Sequence, residues 1–252
     1  MKERAFSTLL HARAKVGKST LTTTAPTPMV VLDAEGGWRF LSTRGFQGKP
    51  LRVQHWDPMK TAPPRYDGTW DVQVVTVTGW PVLPHTLNVL TQQKHDFKTC
   101  SLDSITEIQR RCKASLGVSK MQYQDWGSLL DQMDACIRGF RDLTLIDTNP
   151  LEVAIFVAES RLDSGVMRPY MQGQIGNSLP YWMDVVGYLS VQQVEDPTAE
   201  GGKKTVRMLR VGAHPQVEAG ERVQGRLGEN IYDPDISKMI NDVFGVTSEE
   251  RK

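Results

Sequence analysis

Five short apolar runs, separated by stretches with helical spacing, constrain the fold of this 252-residue chain more than any other feature. They are AFSTLLHA (5–12), PMVVLDAE (28–35), VQVVTVT (72–78), KTCSLDS (98–104) and LEVAIFVAES (151–160). They are apolar or β-branched and bounded by turn-forming residues, as expected of strands buried on both faces. Helix-like segments lie between them at 18–25, 81–94, 104–116 and 126–143. The last places Leu129, Leu130, Met133, Ile137, Phe140 and Leu143 on a single stripe. Strands alternating with helices predict an α/β fold with a mainly parallel, doubly wound sheet. Further along, WMDVVGYLSVQQVED and KKTVRMLRVGA flank the turn-rich PTAEGG, which predicts an antiparallel hairpin added at the sheet edge. A short helix in PDISKMINDVFG follows, and a charged tail at 246–252 is expected to fray. No linker or repeat divides the chain, so 1–252 reads as one domain. Residues 44–70, rich in Pro, Gly and Trp, read as a surface excursion between strands.

Composition narrows the function classes. Thirty Lys and Arg against 29 Asp and Glu leave a net charge of +1, so any nucleic-acid surface has to be local. The three cysteines, Cys100, Cys112 and Cys136, lack metal-ligand spacing and fit a reducing compartment. The five histidines are scattered, so no metal site built from protein ligands alone is expected. No apolar run approaches the roughly 20 residues that span a bilayer. The apolar stretch after Lys2 and Arg4 is too short for a signal peptide, and the expected location is cytoplasmic.

The functional reading turns on FSTLLHARAKVGKST, residues 6–20. Here Ala12 stands five residues before Gly17, followed by Lys18, Ser19 and Thr20. This is the phosphate-loop pattern with Ala replacing its first Gly. The segment Ala12, Arg13, Ala14, Lys15, Val16, Gly17, Lys18, Ser19 and Thr20 would cradle phosphate on backbone N–H groups. Lys18 would neutralise the β- and γ-phosphates, and the Ser19 hydroxyl would ligate Mg²⁺. Ala12 fits only if its φ stays negative. The competing reading is a chance helix cap made by Ser and Thr. Asp103 ends the strand in CSLDSIT, where a carboxylate can hold Mg²⁺ partly through water; the alternative is a cap for the helix at 104–116. Asp33 and Glu35 end the strand in VVLDAEGG. Glu35 is placed to activate a water as catalytic base, or else is a turn residue ahead of Gly36 and Gly37.

The order AKVGKST, LDAEGG, SLDSIT, IFVAESR resembles the RecA-like recombinase core, and within it the compact phage ATPases that anneal single strands. These are grouped with a broad phage family of AAA-domain nucleotide-binding proteins. The resemblance runs from about Phe6 to about Ile236. It implies a RecA-like P-loop fold, ATP and Mg²⁺ as cofactors, and Lys18, Glu35 and Asp103 as the catalytic set. It implies a γ-phosphate sensor at Glu159, where such proteins usually carry Gln; Arg161 is the expected partner for that carboxylate. It further implies a homo-oligomer, ring or filament, with Arg222 or Arg226 reaching a neighbour's nucleotide; the alternative for both is a solvated loop arginine. A single-strand-binding protein is a further implied partner, and a phage-encoded chain would work in the host cell cytoplasm.

Two segments follow strand ends on the expected nucleotide edge. One, 113–127, holds Lys113, Lys120, Tyr123 and Trp126. The other, 161–182, reads as a long polar, Gly-rich loop with Arg161, Arg168, Tyr170, Gln172, Gln174 and Asn177. Cations mixed with aromatics are the composition of single-stranded DNA sites. For Arg168 and Tyr170 plain solvent exposure stands beside DNA contact. Trp126, Tyr181 and Trp182 adjoin apolar segments and are expected in the core. The site residues together with this resemblance therefore imply an ATP-dependent single-stranded DNA-binding protein of phage recombination that promotes annealing. The alternative is a nucleotide-binding assembly factor or motor with weak hydrolysis and no direct DNA role.

Overall fold

The computed structural model describes residues 5–195, 198 and 200–245. The tail expected at 246–252 and part of the turn expected at 197–202 lie outside the described residues. The elements run β1 (Phe6–Ala12), α1 (Lys18–Thr22), β2 (Met29–Asp33), β3 (Thr43–Arg44), β4 (Lys49–Pro50), β5 (Val53–His55), β6 (Val72–Thr76) and α2 (Val82–Gln92). There follow β7 (Thr99–Asp103), α3 (Ile105–Ser115), α4 (Tyr123–Asp142), β8 (Val153–Asp163), β9 (Val166–Pro169) and α5 (Ile175–Trp182). The described chain closes with β10 (Val185–Glu195), β11 (Lys203–Arg210), β12 (Gly220–Glu221), β13 (Asn230–Tyr232) and α6 (Ile236–Phe244).

The main sheet has the order β13-β11-β10-β1-β8-β7-β2-β6-β5. Strands β10, β1, β8, β7, β2, β6 and β5 pair in parallel. The β10–β11 hairpin adds the expected antiparallel edge, and β13 extends it. Two apolar layers explain why these runs do not alternate. Leu9, Val30 and Phe156 pack with α2, α3 and α4; their neighbours Leu10, Val31 and Ile155 pack with α1 and α6. Each strand is therefore apolar at consecutive positions.

Register then fixes the functional edge. Ala12 pairs with Glu159, Val157 with Asp103, and Asp103 with Asp33. The carboxyl ends of β1, β7 and β2 thus come level beside Glu159 of β8, at the edge where open α/β sheets bind ligands. One strand, β8, separates β1 from β7.

Three expectations change. Helix α4 starts at Tyr123 rather than near 126, because Gln122 and Asp125 form a capping box. The segment 161–182 is not a long loop. Ser164 and Gly165, with φ of 49° and 83°, make a tight turn that lets β8 continue to Asp163 and pair back with β9; α5 follows. Residues 44–70 are only partly superficial, since β5 joins the sheet and Trp56 and Trp70 are buried against Phe97, at ring-centroid distances of 5.8 Å each. Among the described residues no helix is long and apolar enough to cross a membrane.

Candidate nucleotide-binding site

Strand β1 is buried along its whole length and delivers the 13–17 turn to the carboxyl edge. Ala12 is the last strand residue and has no positive φ, so the position needs no glycine. Lys15 and Gly17 take up the left-handed backbone instead, with φ of 62° and 107°. Gly17 is required twice over, because a Cβ there would lie 2.8 Å from the Phe46 ring. The Lys18 Nζ folds back over the turn and donates to the carbonyls of Ala12 (3.4 Å) and Arg13 (3.3 Å). Those bonds are long and partly exposed, so a phosphate can displace them at small cost.

An acidic wall stands beside the turn. The Ser19 hydroxyl donates to Asp103 Oδ2 at 2.6 Å, and Trp38 Nε1 donates to the same oxygen at 2.9 Å. Asp103 is buried, and that burial pushes its pKa up to about 6; the bonds from Ser19 and Trp38 work against the rise, while the charges of Glu35 and Asp33 add to it. Glu35 accepts a short hydrogen bond from the Ser104 hydroxyl. Ser104 is also the N-cap of α3, accepting from Glu107 N at 3.3 Å. The capping role is therefore filled by Ser104, and Asp103 faces Ser19. The turn role is filled by Asp33, which accepts from the backbone N–H groups of Glu35, Gly36 and Trp38. Glu35 is left on the Ser104 side of the site.

The donor set suits a hard divalent cation. It offers a hydroxyl and a carboxylate, the groups that hold Mg²⁺ when phosphate and water complete its shell. Among the described residues no group of three or more His, Cys, Asp or Glu could hold a metal unaided.

The sensor position differs from expectation. Glu159 is gripped by Arg110 through a fork, at 3.0 and 3.2 Å, and Arg110 also meets Glu107 at 3.1 Å. Arg161 is not its partner. Helix α3 packs across β8 and presents Arg110 there, while Arg161 lies over the Tyr170 ring at 5.0 Å. Thr106 links the two regions, accepting from Glu159 N at 3.0 Å and donating to the Tyr170 carbonyl at 3.0 Å.

The two DNA-candidate segments meet. Lys113 Nζ reaches Gln172 Oε1 at 3.5 Å and sits 5.0 Å from the centroid of the Trp126 ring. Gln109 holds the Gln172 backbone through both its amide atoms, at 2.7 and 2.9 Å. Tyr123, Trp126, Gln172 and Gln174 then line a pocket of about 270 Å³. Trp126 is 38% exposed and Tyr181 75%, and Trp182 is half-buried under Arg138 at 4.4 Å. Trp126 and Tyr181 are turned outward by α4 and α5, whereas Trp182 packs against the margin of the core as expected. Arg161 and Arg168 pair across the β8–β9 hairpin, and Arg168 also meets Glu218 at 3.5 Å. Lys120 is exposed at the turn before α4. Arg222 donates to the Tyr181 carbonyl and Arg226 to the Val243 carbonyl, both within the chain and both exposed.

Sequence reasoning missed Trp38, Ser104, Arg110 and Phe46 as parts of the site, and with them Arg207, whose Nε donates to the Val16 carbonyl of the loop at 3.3 Å. Ser104 carried a readable signal, the Ser-x-x-Glu of a capping box ahead of α3. Phe46 and Arg207 carried none.

A family model described as an AAA domain matches residues 4–223, and the chain belongs to that family. No curated protein matches the chain. With the parallel sheet and its antiparallel edge, the match identifies an α/β, RecA-like P-loop fold and supports nucleotide binding and ATPase chemistry.

Proposed function

We propose that this chain is a Mg²⁺-dependent ATPase that binds single-stranded DNA and promotes annealing of complementary strands in phage recombination. The observation that carries the ATPase part is the Ser19–Asp103 bond of 2.6 Å beside a loop whose Lys18 has only weak partners. The backbone of 13–19 and Lys18 hold the β- and γ-phosphates. Ser19 and Asp103 hold Mg²⁺, which supplies charge neutralisation at the phosphate oxygens. Glu35 accepts a proton from the attacking water, and Ser104 keeps its carboxylate aimed. Arg222 or Arg226 of a neighbouring copy in a ring or filament stabilises the transferring charge.

The DNA part is supported by the convergence of Lys113, Trp126 and Gln172 and by Arg161 on Tyr170, which offer cations and ring faces together. Glu159, Thr106 and Tyr170 form the route by which nucleotide state reaches that surface. A gel-shift titration of an oligonucleotide with Mg²⁺ and an ATP analogue tests it. Affinity should rise with the analogue and fall as salt rises, because phosphate contacts release counterions. Affinity indifferent to both rejects the DNA role.

A second reading is a nucleotide-dependent assembly factor or motor with slow turnover. It is favoured by Glu159, a carboxylate locked onto Arg110 at the position where an amide sensor is expected. Turnover that oligonucleotide does not alter would support it.

A further inference from the structure

A cleft of about 530 Å³ adjoins the phosphate loop, with Phe46 and Arg207 of its lining in contact with Gly17 and Val16. It is lined by Phe46, Arg207, Arg44, Lys204, Asp233 and Asp235 among others. We infer that this cleft takes the nucleoside half of the nucleotide, with the base against Phe46 and Arg207. The inference rests on the phosphate-loop reading and adds to it the place where base and sugar are recognised.

Contiguity is the first argument. The Phe46 ring lies against Gly17, and Arg207 Nε donates to the Val16 carbonyl at 3.3 Å. The Arg207 guanidinium carbon stands 4.3 Å from the centroid of the Phe46 ring. Two residues 161 positions apart (207 less 46) thus meet on the last turn of the loop. A triphosphate seated on 13–19 must send its sugar out of the loop, and the cleft opens beside that exit.

Rigidity is the second. Phe46 rides the β3–β4 hairpin, which is fastened to the far end of α1. Arg44 donates to the Thr24 and Ala25 carbonyls at 3.3 and 2.8 Å, and Gly45 N donates to Thr23 Oγ1 at 2.6 Å. The opposite wall is tied to the same helix end: Ile236 N donates to Thr24 Oγ1 at 2.8 Å, and Asp233 N donates to the Arg207 carbonyl at 2.8 Å. Both walls are therefore set by the helix that starts at Lys18.

Chemistry is the third. The lining combines an aromatic ring, a guanidinium able to stack, cations and two carboxylates. Rings and guanidinium planes take nucleobase faces. Carboxylates accept from ring N–H and exocyclic amines. Carboxylates among the cations count against a bare polyanion as the occupant. The volume falls in the range of small-ligand sites.

The test compares Mg²⁺ complexes of ATP, GTP and inorganic tripolyphosphate by calorimetry on wild type, Phe46→Ala and Phe46→Tyr. In wild type at least one nucleoside triphosphate should bind roughly tenfold tighter than tripolyphosphate, the size of one base–aromatic stack. Phe46→Ala should remove most of that difference, and Phe46→Tyr should keep it, which separates lost stacking from lost folding. Equal binding of tripolyphosphate and both nucleotides by wild type overturns the cleft assignment while the phosphate reading stands. So does a nucleotide preference that Phe46→Ala leaves intact. Binding of none of the three overturns the phosphate-loop reading, and the cleft assignment with it.

Discussion

The two walls of the candidate nucleotide site are built in opposite ways. The acidic wall comes from the ends of adjacent parallel strands, β2 and β7, whose register sets Asp33 beside Asp103. The aromatic and basic wall joins a hairpin after β2 to β11, near the end of the chain, through Phe46 and Arg207. In the first, every carboxylate has a distinct partner: Asp33 the turn, Asp103 Ser19, Glu35 Ser104. In the second, the groups face an open cleft. The contrast separates chemistry, which needs fixed geometry at a strand end, from recognition, which a later part of the chain can supply.

The largest effect on binding is expected at the loop between the walls. Lys18→Ala removes the charge that meets the phosphates and should weaken Mg·ATP binding roughly 100-fold, the scale of a lost charge-assisted contact in a dry site. Calorimetry checks it, and a change below about threefold would mean that Lys18 does not meet phosphate. The largest effect on turnover is expected from Glu35→Gln on the acidic wall. Turnover should fall by roughly 10²–10⁴ with nucleotide affinity nearly unchanged, since a general base acts only on the step. Single-turnover kinetics separate the two quantities; equal losses in both would assign Glu35 to binding. Arg110→Ala comes third. It strips the fork from Glu159 and leaves a carboxylate near the phosphate edge, so ATP affinity should drop about fivefold by like-charge repulsion. Glu159→Gln in the same background should restore it.

A further effect, on stability rather than on nucleotide, lies beneath the loop. His11, in β1, is buried; that burial lowers its pKa to about 4, with the Lys18 charge helping and the hydrogen bond to the Glu218 carbonyl opposing. Its other ring nitrogen meets Ser160 Oγ at 2.8 Å. The folded chain thus refuses a proton that the unfolded chain accepts below its ordinary pKa near 6.5. Stability from this group is full above that value and falls as pH falls towards 4. Between pH 7 and 5 the loss should be roughly 2 kcal/mol. Urea unfolding at both pH values measures it, and His11→Gln should make the loss smaller; an equal loss in the variant would place the titration elsewhere.

How much was legible follows the same division. The five buried strands and the order of the edge hairpin were readable because both faces of the sheet are covered, so apolar runs mark strands directly. Lys18, Ser19, Glu35 and Asp103 could be singled out as candidates because each sits at or soon after a strand end. The helix-cap and turn alternatives could not be decided from sequence, because Ser104 and Asp33 stand beside Asp103 and Glu35 and compete for the same roles. The 161–182 segment was misread because Ser164-Gly165 signals a turn without saying that the flanks pair. Arg161 looked like the partner of Glu159 because it is near in sequence, whereas Arg110 is near in space through the packing of α3 on β8. Phe46 and Arg207 had no local pattern at all, since only tertiary packing brings the β3–β4 hairpin against β11.

The most direct test is a crystal structure with Mg²⁺ and a non-hydrolysable ATP analogue. The account predicts that Lys18 Nζ leaves the Ala12 and Arg13 carbonyls for the β- and γ-phosphates, with Asp103 and Glu35 facing the metal side. Phosphates bound elsewhere, with Lys18 still on those carbonyls, would contradict it.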